Sequence, residues 1–260
     1  MTPEPTTPTT VGGFRTLEFD LPTALLEQIV SMFADLDAAA LIPNNTGSVP
    51  NAQGVYQLFL RGRLVYIGKT DAQAGLKQRL SRHAWNIKSR HNLDVKEITF
   101  KAIQVLVFSA MDLETALISF YREADGPPVW NGSGFGNNDP GRRRDTTALK
   151  PEGFDALYPI NIDLDVEAAW ETAASALGAL STLSAAVPYT IRHEKTADAL
   201  VELKNAKPQP PQGPTSVRRA VSEICSSLPS GWQATRLSGR VIIYREAKDD
   251  YPGGEIIARS

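Results

Sequence analysis

The sequence has little of what several protein classes need. It holds one cysteine, Cys225, in 260 residues. That excludes a disulfide framework within the chain and a cysteine-built zinc site, and it fits a reducing, cytoplasmic compartment. Cys225 sits in an apolar helical pattern with Val221, Ile224 and Leu228, which reads as a buried structural thiol rather than a nucleophile. No apolar run approaches the roughly 20 residues that span a bilayer, so no membrane partner is expected. The Thr- and Pro-rich start, Met1 to Thr10, lacks the basic opening and apolar core of a secretory signal and reads as a frayed tail.

What is present is an ordinary globular composition, 42% hydrophobic and 22% charged. The net charge of −2 conceals an asymmetry. Residues 1–53 hold one Lys or Arg against six Asp or Glu, residues 54–150 fifteen against nine, and residues 151–260 eleven against fourteen. Within 61–91, eight basic residues face only Asp71. A positive field of that kind suits a polyanion such as nucleic acid, although a solvated charged face would read the same on charge alone.

The patterning divides the chain. Residues 1–53 contain the tail, an alternating strand over 14–20, and a helix from Leu21 to about Ala40 whose apolar residues recur at helical spacing. Gly54–Leu60 and Leu64–Gly68 flank a turn at Arg61-Gly62-Arg63 and predict a β-hairpin. Residues 75–91 predict a helix, 97–108 a strand, and 113–123 a helix capped by Asp112. Residues 131–150 are rich in Gly, Asn and Arg and read as irregular. Beyond a unit at 54–160, the pattern predicts a helical extension over 161–206, with helices at 163–184 and 194–204. A Pro/Gln linker follows at 207–214, then a small α+β unit at 215–260 with a helix at 215–228 and a hairpin turning at Ser238-Gly239.

Within 54–131 stand residues suited to one chemistry. Cutting a phosphodiester needs an activated water, a cation on the non-bridging oxygens and a proton for the leaving oxygen. Glu114 offers a hard oxygen ligand suited to magnesium. Arg79 can clamp the phosphate, and on a helix Arg79 and His83 lie one turn apart on the same face. Tyr56 and Tyr66 can meet across the hairpin. Arg79, His83 and a metal would favour phenolate character, so that one tyrosine could orient or deprotonate water. Each residue also has a structural alternative: half-buried strand tyrosines, a surface Arg, a satisfied His, an exposed helix acid.

The order of these residues carries a resemblance. Gly54-Val55-Tyr56, nine residues, then Tyr66-Ile67-Gly68-Lys69-Thr70 resembles the signature of the GIY-YIG nuclease superfamily. Leu76–His83 resembles its following helix, Glu114–Ile118 its metal-binding helix, and Pro127-Pro128-Val129-Trp130-Asn131 its closing asparagine. The segment Gly134–Arg144 and the stretch Phe154–Pro159 resemble the type II restriction branch that cuts CCGCGG, whereas residues 160–260 have no counterpart.

The resemblance implies an α+β domain, a small antiparallel sheet flanked by helices, acting as a DNA endonuclease. Its site residues would be Tyr56, Tyr66, Arg79, His83, Glu114 and Asn131. One divalent cation, Mg2+ or another hard cation such as Mn2+, would be held by Glu114. Tyr56 is the implied water activator, and Asn131 a support. Lys69, Arg82, Arg142, Arg143 and Arg144 are expected at the DNA. A palindromic, GC-rich duplex site implies a homodimer, and a restriction system implies a companion DNA methyltransferase. A repair or homing nuclease of the same superfamily and an inactive DNA-binding module are the alternatives.

Overall fold

The computed structural model describes residues 20–106, 113–136, 139, 141–167, 174–209 and 213–260. The strand expected over 14–20, the cap Asp112 and the end of the strand at 107–108 lie outside the described residues, apart from Asp20. The elements in chain order are α1 (Leu21–Asp35), β1 (Ala39–Ala40), α2 (Pro43–Gly47), β2 (Gly54–Leu60), β3 (Arg63–Thr70), α3 (Leu76–Lys88), β4 (Ile98–Gln104), α4 (Leu113–Asp125), α5 (Phe154–Leu157), β5 (Asp165–Val166), α6 (Ala176–Ala185), β6 (Thr190–His193), α7 (Ala197–Asn205), β7 (Thr215–Ser216), α8 (Val217–Ser226), β8 (Gln233–Leu237), β9 (Arg240–Tyr244) and β10 (Glu255–Arg259).

The first sheet has the order β1-β4-β2-β3 and is antiparallel throughout. This is the expected α+β arrangement. Strand β2 lies between two neighbours, and its first five residues are all buried. The hairpin to β3 turns on Arg61 and Gly62, both at positive φ, a two-residue turn whose twist matches the strands it joins. One face of the sheet packs Tyr56, Leu58 and Phe100 against Leu76, Leu80 and Ile87 of α3. The other packs Val55, Ile67 and Ile103 against Ile29 and Phe33 of α1 and Leu113 and Leu117 of α4. Helix α3 buries Leu76, Leu80, His83 and Ile87, one face at helical spacing.

The helix expected to run to Ala40 stops at Asp35. Leu36 is already extended, and Ala39 and Ala40 pair with Phe100 and Thr99 of β4, exchanging helical bonds for ladder bonds. Of the helix expected over 163–184, the described residues show α6, and 168–173 lie outside the described residues. Asp165 and Val166 pair instead with Ser216 and Thr215, and the Ser175 side chain caps α6 by accepting from the Gly178 N–H.

The second sheet has the order β10-β8-β9-β6, with β6 parallel to β9. The hairpin expected over 232–246 is β8 and β9. Strands β6 and β10 have no counterpart in the sequence reading. Through β6, residues assigned by sequence to a separate helical extension share one sheet and one core with 215–260. That core joins Ile160, Leu180, Leu203, Val221, Trp232 and Ile243. Cys225 is fully buried in it. Among the described residues no helix is long and apolar enough to cross a membrane.

Candidate active site

The hairpin brings the two tyrosines together. Tyr56 lies opposite Gly68 and Tyr66 opposite Leu58, so both rings share the α3 face, centroids 6.1 Å apart. Gly68 makes room for this: a Cβ there would sit 2.5 Å from Tyr56 Cζ. Helix α3 supplies His83 beneath them. Its start is fixed by Asp71, whose carboxylate accepts from the Gln73 and Ala74 N–H groups, and by Gly75 at positive φ. A side chain at Gly75 would collide with Asn51.

Tyr56 Oη and His83 Nε2 are 2.7 Å apart, both residues nearly inaccessible to solvent. Burial, ahead of Arg79 and Arg82, pushes the His83 pKa down to about 3. The ring is neutral at physiological pH, and it takes the Tyr56 proton at Nε2 only in the tautomer that carries its own on Nδ1. Burial also raises the Tyr56 phenol well above its ordinary value; Tyr66 adds to this and Arg79 opposes it. Tyr66 is raised too, first by burial and then by the Glu114 charge. The phenolate character expected from Arg79 and His83 is therefore absent from the chain alone. Desolvation outweighs one guanidinium, and a neutral imidazole offers no positive charge.

Glu114 opens α4, and its charge is felt by both tyrosines. No group of three or more His, Cys, Asp or Glu that could hold a metal occurs among the described residues. A single carboxylate beside the tyrosines fits magnesium, which keeps most of its waters and takes further oxygens from phosphate.

Asn131 is spent on the backbone. Its Oδ1 accepts from the Ile67 N–H at 2.9 Å and its Nδ2 donates to the Ile67 carbonyl at 2.8 Å. Just before it, Trp130 N–H donates to the Val65 carbonyl, at the bulge that breaks the β2–β3 register. The loop 130–136 thus serves the outer edge of β3 in place of another strand. Phe135 was missed by the sequence reading. It stacks on His83 at 4.8 Å and meets Tyr66 edge-on at 4.9 Å. Its signal was an aromatic between Gly134 and Gly136, both at positive φ.

A cleft of about 1320 Å³ opens beside the cluster. Arg79, Arg82, His83 and Asn131 line it from the first domain, and Arg144 and Lys150 from the segment beyond. Lys69 is exposed on β3 and does not line this cleft. The three arginines grouped by sequence have different surroundings. Arg142 pairs with Glu194 at 2.7 Å and lies 4.2 Å over the Tyr244 ring, so its half-exposed guanidinium already has partners within the protein. Arg143 is exposed outside the cleft lining, and only Arg144 faces into it.

Residues 61–159 match the family model of the Eco29kI GIY-YIG domain. Over that segment the chain is similar to a GIY-YIG restriction endonuclease domain, a similarity that suggests a nuclease. The match contains Tyr66, Arg79, His83, Glu114 and Asn131 and begins five residues after Tyr56, at the hairpin turn. A search of curated proteins finds no match to the chain.

Proposed function

We propose that the chain is a type II restriction endonuclease that hydrolyses both strands of DNA at a short palindromic, GC-rich site. The observation that carries the reading is the buried pair Tyr56 Oη–His83 Nε2 at 2.7 Å, one helical turn from Arg79 and beside a basic cleft. In the proposed step a water gives its proton to Tyr56 Oη as the phenol's own proton passes to His83 Nε2. The oxygen attacks phosphorus, the P–O3′ bond breaks, and the leaving oxygen takes a proton from water. Entry of the phosphate's negative charge raises the proton affinity of His83, so the imidazole depressed in the empty site becomes a competent acceptor. Arg79 binds the non-bridging oxygens, and Tyr66 orients the attacking water. Asn131 acts through its grip on Ile67.

One divalent cation, Mg2+ or Mn2+, held by Glu114, would neutralise phosphate charge and acidify coordinated water. A palindrome cut on both strands calls for a homodimer with one site per strand. In a cytoplasm containing unprotected sites, a companion DNA methyltransferase of the same specificity would be needed.

The test is digestion of a panel of plasmids with Mg2+, followed by mapping of the ends. Discrete bands whose ends share one palindrome are expected. A smear or nicks without common sequence would replace restriction with a repair- or homing-type nuclease. Intact DNA with binding retained would leave a DNA-binding module.

A further inference from the structure

The C-terminal unit, 176–260, lies outside the family match, yet it grips the segment that carries the basic turn. Asp145 closes that turn and its side chain is wholly buried. It accepts from Arg192 Nη1 of β6 at 2.5 Å, from Arg240 Nε of β9 at 2.6 Å and from Tyr244 Oη of β9 at 2.7 Å. At the other end of the segment Asp139 pairs with the same Arg192. Between them Arg142 is held by Glu194 and Tyr244. Arg240 also donates to the Arg144 carbonyl at 3.3 Å. Asp139, Arg142 and Asp145 are therefore fixed to β6, β9 and the residue after β6. Arg144 and Lys150, both exposed, line the same cleft as Arg79 and Arg82. Among the described residues, none of these four cations has a carboxylate within ion-pair distance. A buried carboxylate shared by two guanidiniums is a costly way to stabilise a loop and an effective way to fix its position.

We propose that the C-terminal α/β unit is a grip that presents Arg144 and Lys150 to the phosphates of a DNA duplex lying in the cleft along α3. This rests on the nuclease reading for the identity of the polyanion. Arg144 and Lys150 contact phosphate, and Asp145, Arg192, Arg240 and Tyr244 are positioning residues that act through them.

The experiment measures the affinity of the full chain for a short mixed-sequence duplex in EDTA, which suppresses cleavage, as a function of salt. Each lost phosphate contact lowers the log–log salt slope by about 1. Arg144→Gln with Lys150→Gln is expected to weaken binding and lower the slope by about two. Lys204→Gln with Lys207→Gln, which lie outside the cleft lining, is expected to change neither. Asp145→Asn, or Tyr244→Phe as the milder version that keeps both guanidinium contacts, is expected to weaken binding in the native background. In the Arg144→Gln, Lys150→Gln background it should cause no further loss. A purely structural role would give the same loss in both backgrounds, and that additivity would overturn the grip. An unchanged slope in the Arg144→Gln, Lys150→Gln variant, with the native chain binding and cutting DNA, would overturn this proposal and leave the nuclease reading standing. A native chain that binds no duplex would overturn both.

Discussion

Acidification should destabilise this protein through His83 in a way that one substitution removes. The ring is 3% exposed, and its pKa in the folded chain is pushed down to about 3 by burial first and by Arg79 and Arg82 next. In the unfolded chain it titrates near 6.5. As pH falls through 6.5 the unfolded chain takes up a proton that the folded chain refuses. The stability present above that pH is progressively lost, and the loss keeps growing until the folded ring itself titrates near pH 3. Each pH unit in this window costs about 1.4 kcal/mol, so moving from neutral to about pH 5 removes about 2 kcal/mol through this ring alone. His83→Gln keeps a polar side chain near Tyr56 but has no such proton to refuse. Urea unfolding of both proteins near neutrality and near pH 5 is the assay. The native chain should lose about 2 kcal/mol more than the variant, whatever the variant's starting stability. Equal losses in the two would refute the buried neutral imidazole.

Three further outcomes follow from the same geometry. Tyr56→Phe and His83→Ala should each lower the single-turnover cleavage rate by about 10²–10⁴, and the double variant should be little worse than either, because the two groups pass one proton. Asn131→Ala deprives the Ile67 N–H and carbonyl of their partners, and thermal or urea unfolding should show a loss of about 1–3 kcal/mol. Asp145→Asn leaves Arg192 and Arg240 without their shared carboxylate, and the same measurement should show about 3–5 kcal/mol.

The parts of this molecule that could be read from sequence are those whose cause is local. The hairpin announced itself by β-forming runs on either side of Arg61-Gly62, and α3 by Leu76, Leu80 and His83 at helical spacing. Tyr56, Tyr66 and His83 were named from motif order, and the fold brings their rings within 6.1 Å of one another. What escaped depends on distant partners. Strand β6 is four residues long and exists because it lies beside β9, about fifty residues later. Asp145 has no local sequence signal, because its partners Arg192, Arg240 and Tyr244 are 47, 95 and 99 residues away. The same distance effect explains Arg142. Three adjacent arginines look alike in sequence, but Glu194 and Tyr244 claim the first. The influence of burial on Tyr56 is hidden from sequence for a related reason. Sequence spacing revealed the nearby guanidinium but not the depth of burial, and burial is the larger influence.

The most direct measurement incubates the purified chain with plasmid DNA, with and without Mg2+, beside Glu114→Ala. Magnesium-dependent cleavage by the native chain is expected, lost in the variant while duplex binding in EDTA survives. Cleavage that persists undiminished in Glu114→Ala, or a native chain that binds DNA and leaves it intact across a broad panel of sequences, would contradict the active site described around Tyr56, His83 and Glu114.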